Sequence, residues 1–423
     1  MHAMGFTQAM ADSCLFHKKT PDGWIIVASE VDDLLVTGTD DAAIEDLRKN
    51  LVAEYSITEW DPISSFLGIN INYKPAPSGM YTHMTLDVEY KIDQLFKQHS
   101  ILDSMQLYKR GKGEYPIVED HMSISDSAPI TSDIDKYIRD RYASLNGALI
   151  FMGITCRPDF TFALSKTSKG MHDPKPKHIA MLRQLLSYAK RTKSWALIFS
   201  RTPKLYAHLD KVAATDAALS FLSGSDGQHV RRAVGWADAN YANLTDDERK
   251  SNTGYLFYLF GCPICWKSKL QPLTATSTHE AELIACATAA HEAIWLRKLL
   301  IDIGYTFNLK PVKIIEPSRM KSVLELDGES ISTEDFHMDP LQIFNDNLGT
   351  TQTINNPETT SQRSKHIDIR YLRVRQYVQK QLLRYSYVGT DFNIADFFTK
   401  ALKNPKFAEF LDVIGMEELP PKT

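Results

Sequence analysis

The longest periodic segment of the sequence runs from Thr274 to Leu300 and predicts a helix. Its apolar residues recur at intervals of three and four, which places them on one face of a helix. Ser277 and Thr278 are good N-cap residues, so we expect the helix to begin near Thr278. Glu282 then lies about one turn inside it, where the helix dipole favours a negative charge.

Runs of apolar and β-branched residues flank this segment and predict the strands of a mixed sheet. The runs before it are AVGWADA, TGYLFYLF and CPICWKSK, and those after it are LQIFNDN and LLRYSYV. Asp238 ends the first run and Asp346 ends the fourth, while Asp396 lies in the C-terminal segment IADFFTK, which we expect to be helical. Antiparallel strands, a helix, another strand and further helices make an α/β architecture.

The first part of the chain predicts a β-hairpin followed by a helix. The runs WIIVASEV and LLVTG are joined across Asp32 and Asp33, residues that also favour turns for purely local reasons. An amphipathic helix then begins at Asp40 or Asp41. Residues from 133 to 201 are helical in pattern, and the short segments SWALIFS and LYAHLD predict two strands.

Composition narrows the class of protein. With 423 residues, 43% of them hydrophobic, the chain can form more than one core, and we expect about two or three domains. A formal net charge of −4 argues against a generally basic protein that coats nucleic acid, but it permits a local basic groove. The sequence has no uncharged stretch of transmembrane length and no secretory leader pattern at residues 1–20, so we expect no membrane association.

Cysteine usage predicts reduced, intracellular thiols. The five cysteines are scattered, and only Cys262 and Cys265 form a CxxC pair. A second pair at zinc spacing is missing from the sequence. We therefore favour a structural role for this pair over a zinc site.

Carboxylates are the strongest candidates for chemistry. For Glu282 alone, a solvated first-turn glutamate would be the simpler interpretation. However, Asp238, Glu282, Asp346 and Asp396 would be delivered by strand, helix, strand and helix. Hard divalent cations prefer oxygen ligands, and a pair of such ions can clamp the attacking and leaving oxygens of a phosphoryl transfer.

A set of ordered motifs over about the last half of the chain resembles the ribonuclease H domain of Ty1/copia-type retrotransposon Pol polyproteins. These motifs are GWADANYA, KSNTGYLFYLFGCPICWKSKLQP, STHEAELIACATAAHEAIWLRKLL, FNDN, SKHIDIRY and IADFFTK. The resemblance implies that Asp238, Glu282, Asp346 and Asp396 are catalytic carboxylates that bind two Mg²⁺ or Mn²⁺ ions. The implied reaction is hydrolysis of the RNA strand of RNA/DNA hybrids.

Polar residues in segments adjoining these carboxylates are candidates for substrate contacts, through phosphates or ribose hydroxyls. They are Lys267, Lys269, Ser277, Arg363, Lys365 and His366. For His366 we weigh product release or proton transfer against local packing at a helix N-terminus, and favour packing. The sequence departs from the family by an insertion of roughly thirty polar residues near 311–340, a length typical of functional or disordered loops.

The N-terminal motifs resemble the palm of the same family's reverse transcriptase. They are FTQAMADSCLFHKK, VDDLLVTGTDDAAIEDL and ISSFLGININY, and the resemblance makes Asp32 and Asp33 metal-binding residues of a polymerase. The family has another metal-binding aspartate on an upstream strand, and this sequence begins after that point. Glu30 also replaces a usual aromatic residue. We expect a truncated palm without independent polymerase activity.

The helical region that follows resembles the thumb and connection of that polymerase. Its basic residues predict phosphate contacts or, equally, solvated helix faces. They are Lys166, Lys169, Lys175, Lys177, Arg183, Lys190, Arg191 and Lys193. The predicted domains are a partial palm at 1–110, a linker at 111–134, a thumb/connection-like helical region at 135–222 and a ribonuclease H-like domain at 229–415.

Three hypotheses about function follow. The first is a ribonuclease H that binds RNA/DNA hybrids; the second is a polymerase subunit that needs the N-terminal polymerase segment or another retroelement Pol chain as partner. The third is a catalytically silent relic that at most binds nucleic acid. We expect an intracellular location, either cytoplasmic in virus-like particles or nuclear.

Overall fold

The structure, a computed structural model, shows a mixed α/β and α+β protein and confirms the predicted fold class. It describes residues 1–55, 57, 60–75, 81–105, 115–216, 219, 222, 233–241, 250–304, 339–356 and 369–420. Over these ranges the strands form three sheets. The predicted insertion at 311–340 lies outside the described residues except for its last two positions.

The chain divides into two compact units, each assembled from segments distant in sequence. The first comprises Met1–Ser64, Ala290–Leu341 and Tyr377–Leu383. The second comprises Ser65–Ala289, Gln342–Gln376 and Arg384–Thr423. The boundaries of these two units differ from the domain boundaries predicted from the sequence. The predicted division into domains stays a prediction.

The first unit contains an antiparallel sheet in the order β1-β2-β3-β4. Its elements are β1 (Thr7–Gln8), β2 (Leu15–Lys19), β3 (Trp24–Glu30), β4 (Asp33–Gly38) and the helix α1 (Asp41–Glu54). Ile25 and Val27, two apart on β3 and so on one face, are buried with Leu47 of α1. The Asp40 carboxylate caps α1 by accepting a hydrogen bond from the Ala43 N–H at 3.0 Å. The predicted hairpin and helix are confirmed.

The turn of the hairpin differs by one residue from the prediction. Glu30 pairs with Asp33, so the turn consists of Val31 and Asp32, and Asp33 begins β4. The preference of aspartate for turns does not determine which residues pair across the hairpin. The register of the two strands does, and it places Asp33 in β4. Val31 has a φ of 50°, in the left-handed region that β-branched residues rarely adopt.

The remaining elements follow in chain order. The strands are β5 (Ser65–Phe66), β6 (Ile69–Pro75), β7 (Tyr81–Asp87), β8 (Trp195–Ser200), β9 (Ala233–Asn240), β10 (Asn252–Leu259), β11 (Cys262–Leu270), β12 (Leu341–Asn345), β13 (Leu383–Tyr387) and β14 (Met416–Glu418). The helices are α2 (Glu89–Gln98), α3 (Glu119–Met122), α4 (Asp133–Asp140), α5 (Tyr142–Thr155), α6 (Thr161–Thr167), α7 (Pro176–Arg191), α8 (Leu205–Ala213), α9 (Thr278–Asp302), α10 (Leu348–Asn355), α11 (Ile369–Leu372), α12 (Val374–Gln379) and α13 (Lys406–Ile414). A 3-10 turn spans Ile394–Phe398. Of the described helices, none is long and apolar enough to cross a membrane.

One sheet of the second unit has the order β14-β8-β7-β6-β5 and is antiparallel throughout. Strand β8 confirms the prediction for SWALIFS. The prediction of a strand at LYAHLD is wrong, because this segment begins α8. Leu205, Leu209 and Val212 of α8 are buried at helical spacing, and the alternation of Leu205, Ala207 and Leu209 had imitated a strand.

The third sheet has the order β11-β10-β9-β12-β13. Strands β9, β10 and β11 are antiparallel neighbours, whereas β12 runs parallel to β9. The predicted strands and the predicted long helix, α9, are confirmed. This arrangement brings the C-terminal ends of β9 and β12 to the same edge of the sheet, because parallel neighbours end on the same side.

A single hydrophobic core joins segments of the second unit that were predicted to be separate. It includes Leu197 of β8, Leu185 of α7, Trp236 of β9 and Phe410 of α13. The described part of the predicted linker, 115–134, contributes Ile117, which is 3% exposed. This segment is therefore anchored to the core at Ile117, with Tyr115, Met122 and Ile130 packed partly against it, while Glu119, Asp120 and residues 125–127 are exposed.

Candidate metal centre

Asp238 is held near the end of β9, the central strand of its sheet. It is 1% exposed and lies directly opposite Gly254 of β10. A Cβ atom at Gly254 would come within 2.7 Å of Thr399 Cγ2 and 3.0 Å of the Ala395 carbonyl oxygen. Because Gly254 has no side chain, the segment 394–399 can approach the sheet beside Asp238.

This close approach supplies hydrogen bonds to both oxygens of Asp238. Asn393 Nδ2 donates to Oδ1 at 3.5 Å, and the Thr399 hydroxyl donates to Oδ2. Lys400 Nζ lies 3.8 Å from Oδ2. The orientation of Asp238 is thus fixed from the C-terminal segment.

Glu282 projects from the second turn of α9, whose start is capped as predicted. Ser277 Oγ accepts a hydrogen bond from the Glu280 N–H at 3.1 Å, and the Glu280 carboxylate accepts one from the Thr276 N–H at 2.7 Å. These bonds satisfy N–H groups at the helix start and set its position. Glu282 itself is 4% exposed.

One oxygen of Glu282 is fixed by two donors. Oε2 accepts hydrogen bonds from the Ala239 N–H at 3.2 Å and from Asn345 Nδ2 at 2.9 Å. Asn345 is the last residue of β12, and its amide also donates to the Ala237 carbonyl at 3.0 Å. A single amide thus ties α9 to both parallel strands.

Asp346 follows β12 directly and is half-buried. It stands between Asn345 and Asn347, whose side chain caps α10 by accepting from the Thr350 N–H at 2.9 Å. The strand end and the helix cap together fix the backbone on both sides of Asp346.

Asp238, Glu282 and Asp346 converge on one point. Each offers a carboxylate oxygen, and these oxygens lie within 4.8 Å of one another. Among the residues that the structure describes, this is the one group of three or more His, Cys, Asp or Glu side chains whose ligand atoms lie so close together. Three hard oxygen donors at such separations fit a Mg²⁺ or Mn²⁺ ion.

Asp396, the fourth predicted carboxylate, does not join this group. It is 2% exposed, and its two oxygens lie 2.6 Å from Lys400 Nζ and 3.2 Å from Lys406 Nζ. Asp396 is close enough to Asp238 to raise the pKa of that carboxyl. The structure therefore places it beside the other three, with its charge matched by lysines.

Burial and mutual repulsion make this arrangement costly when all the carboxylates are ionised. Burial, followed by the charge of Asp396, raises the pKa of Asp238 to about 7. Burial, followed by the charge of Asp238, raises the pKa of Glu282 well above its usual range. Both shifts disfavour the ionised form, and a bound divalent cation would reverse this preference.

The predicted substrate contacts are not gathered around the carboxylates. Lys267 and Lys269 are exposed on the edge strand β11, opposite Tyr255 and Thr253. Because strand residues alternate between faces, both lie on the face of the sheet opposite to Asp238. Ser277 serves as the cap of α9, and the predicted contacts Arg363, Lys365 and His366 lie outside the described residues.

The predicted basic stripe is engaged with carboxylates of the protein. The ion pairs are Lys175–Asp173 at 2.6 Å, Lys177–Asp126 at 3.1 Å, Arg183–Asp135 at 3.2 Å, Lys190–Asp103 at 2.8 Å and Lys193–Asp93 at 2.9 Å. Lys166 is 4% exposed. These pairs favour a structural role for the stripe over phosphate binding.

Sequence reasoning missed four residues that shape the site: Asn345, Asn393, Thr399 and Lys400. Lys400 carried a usable signal, because it stands four residues after Asp396 in a segment predicted to be helical. Asn345 directly precedes a candidate ligand at the end of a strand. Asn393 and Thr399 carried none, since their role depends on the close approach that Gly254 permits.

Comparisons with known proteins identify the family. Residues 1–103 match the reverse transcriptase (RNA-dependent DNA polymerase) family. The chain is 26% identical over 418 residues, 99% of its length, to the "Retrovirus-related Pol polyprotein from transposon RE1" of Arabidopsis thaliana. It is 25% identical over 98% of its length to the corresponding polyprotein from transposon TNT 1-94 of Nicotiana tabacum. The chain belongs to the Ty1/copia-type Pol polyproteins of retrotransposons.

This Pol chain spans about a quarter of the length of these relatives, covering 23% of the RE1 polyprotein and 26% of the TNT 1-94 polyprotein. No solved structure matches it significantly. The resemblance stated from the motifs is confirmed at the level of the family.

The raised pKa of Asp238 predicts a pH dependence of stability for the metal-free Pol chain. Because the folded state binds this proton more tightly than the unfolded state, the free energy of unfolding should fall by a few kcal/mol at most as the pH rises from about 4 to about 7. Urea denaturation in EDTA across this range measures the slope. Asp238→Asn should flatten it, whereas an unchanged slope in that variant would contradict the assignment.

Gly254→Ala should displace the segment 394–399 from the sheet. The added methyl group would meet Thr399 and Phe398 at less than 3 Å, so we expect a loss of about 1–3 kcal/mol in the free energy of unfolding. The matched control is Gly147→Ala on α5, where nothing lies within 4 Å of the added atom and helix propensity favours alanine. Equal urea midpoints for the two variants would refute this role of Gly254.

Proposed function

We propose that this Pol chain is a ribonuclease H-type endonuclease that hydrolyses the RNA strand of RNA/DNA hybrids with the help of a divalent cation. One observation carries the proposal: Asp238, Glu282 and Asp346, delivered by β9, α9 and the end of β12, bring carboxylate oxygens within 4.8 Å of one another. The sheet order, with three antiparallel strands, a helix and then a parallel strand, supports it.

The three carboxylates would hold a Mg²⁺ or Mn²⁺ ion. Such an ion, when bound, lowers the pKa of water and offsets the negative charge that develops on the phosphate during hydrolysis. The protein's part is to hold the ligands in place: Thr399 and Asn393 orient Asp238, and the Ala239 N–H and Asn345 orient Glu282. Such fixed partners lower the cost of assembling the ligands around a cation.

Recognition of the hybrid is assigned to residues near the edge of the sheet where β9 and β12 end. An RNA/DNA hybrid differs from duplex DNA in its 2′-hydroxyls and groove shape. Lys267 and Lys269 lie on the face opposite to Asp238, so we do not assign this recognition to them. The contacts predicted for Arg363, Lys365 and His366 concern residues outside the described part of the chain and stay a prediction.

A second function is favoured by the family match at residues 1–103. Asp32 and Asp33 are exposed at the hairpin between β3 and β4, where they are accessible to a nucleotide or primer end. Among the described residues no third carboxylate, thiol or imidazole completes a metal-binding group with them. Polymerase activity is accordingly proposed only together with a further polymerase segment or another Pol chain.

Cleavage of an RNA/DNA hybrid tests the nuclease. The purified chain should cut the labelled RNA strand in Mg²⁺ or Mn²⁺ and should leave a DNA duplex of the same sequence intact. Glu282→Gln should lower the rate by more than about 100-fold, because loss of an outer partner of a metal ligand already costs about 10–100-fold. Asp391→Asn, at a residue whose side chain is 94% exposed, is the matched control and should cut normally.

The opposite result is equally informative. If the folded protein cuts no RNA strand in either metal, or if Glu282→Gln cuts as fast as Asp391→Asn, the nuclease proposal fails. The remaining reading would then be a silent member of the family that at most binds nucleic acid.

A further inference from the structure

Lys400 occupies a position between two of the predicted metal ligands. Its Nζ lies 2.6 Å from Asp396 Oδ1 and 3.8 Å from Asp238 Oδ2. Both carboxylates are almost fully buried, whereas the lysine side chain is 35% exposed. The ammonium group therefore lies beside both carboxylates, on a side chain that stays partly exposed to solvent.

The backbone fixes this position. The N–H groups of Thr399 and Lys400 both donate to the Asp396 carbonyl, at 3.2 and 3.0 Å, so Asp396 and Lys400 are separated by a single closed turn. The Thr399 hydroxyl, on the same turn, is bonded to Asp238. Lys400 is thus placed by the same turn that orients Asp238, and it is not a freely rotating surface lysine.

Charge makes this position incompatible with another cation. Asp396 already contacts two ammonium groups, those of Lys400 and Lys406. Lys400 contacts one oxygen of each of Asp238 and Asp396. A divalent ion bridging these two carboxylates would stand a few ångströms from the ammonium group and would repel it. Lysine and ion therefore compete for one place.

We propose that Lys400 is an intramolecular cation that excludes a second divalent ion from Asp238 and Asp396, so that the chain binds one ion at Asp238, Glu282 and Asp346. This inference rests on the proposed metal-dependent function and sharpens it. It replaces the sequence-based expectation of two resident ions by one ion and one lysine.

Titration with Mn²⁺ alone, followed by electron paramagnetic resonance, tests the proposal without any turnover. The wild-type chain should bind about one Mn²⁺ with the spectrum of an isolated ion. Lys400→Met should bind about two, with the broadening expected of ions roughly 4 Å apart. Lys400→Arg, which keeps the charge, should restore the single ion.

Lys406→Met is the matched control for loss of a lysine at Asp396. Lys406 contacts Asp396 at 3.2 Å but has no contact with Asp238 among its described ion pairs, so this variant should still bind one ion. A second ion in Lys406→Met would show that charge loss at Asp396 suffices, and would overturn the assignment to Lys400.

Other outcomes also decide the matter. Two ions in the wild-type chain, one ion in Lys400→Met, or no ion in any of these proteins would each overturn the proposal. The hybrid-cleavage assay is scored separately: a wild-type chain that binds one ion but cuts no hybrid refutes the proposed nuclease and leaves the role of Lys400 intact. A chain that cuts hybrids with two bound ions refutes only the role of Lys400.

Discussion

Repulsion between buried carboxylates is the constraint on which the site depends. Asp238 and Glu282 are almost completely removed from solvent. The charge of Asp238 raises the energy of ionising Glu282, and the charge of Asp396 does the same for Asp238. An ionised pair in such surroundings is unstable unless cations or hydrogen-bond donors are supplied. The chain supplies donors on one side, from Asn345 and the Ala239 N–H, and an ammonium group on the other, from Lys400.

Other contacts in the second unit hold these carboxylates close together despite their repulsion. The parallel pairing of β12 with β9 brings Asp346 beside Asp238, and the capped start of α9 directs Glu282 to the same edge. Gly254 then allows the C-terminal segment to lie against the sheet. Residues far apart in sequence are thereby held in one small site, at a cost that a divalent cation would offset.

Much of this could be predicted from the sequence because it is local. The strands around Asp238 and Asp346, the cap at Ser277 and the hairpin at Asp32 all follow from alternation, periodicity and capping preferences. The motif resemblance extended this to the family.

Other features depend on contacts between distant segments and could not be predicted. The lysines of the thumb-like helices are matched by carboxylates such as Asp103 and Asp126, which lie far away in the sequence. Asp396 was predicted as a metal ligand from its motif, and its pairing with Lys406 becomes visible only when α13 is packed. Ion pairs between separate segments of the chain leave no periodic signal in a single sequence.

The most direct test of the central claim is a crystal structure of the chain grown with Mn²⁺ and measured at a wavelength where manganese scatters anomalously. The account predicts an anomalous peak about 2.0–2.6 Å from carboxylate oxygens of Asp238, Glu282 and Asp346. A map with manganese peaks only elsewhere on the protein, or with none in crystals saturated with Mn²⁺, would contradict the claim that these three carboxylates form a metal centre.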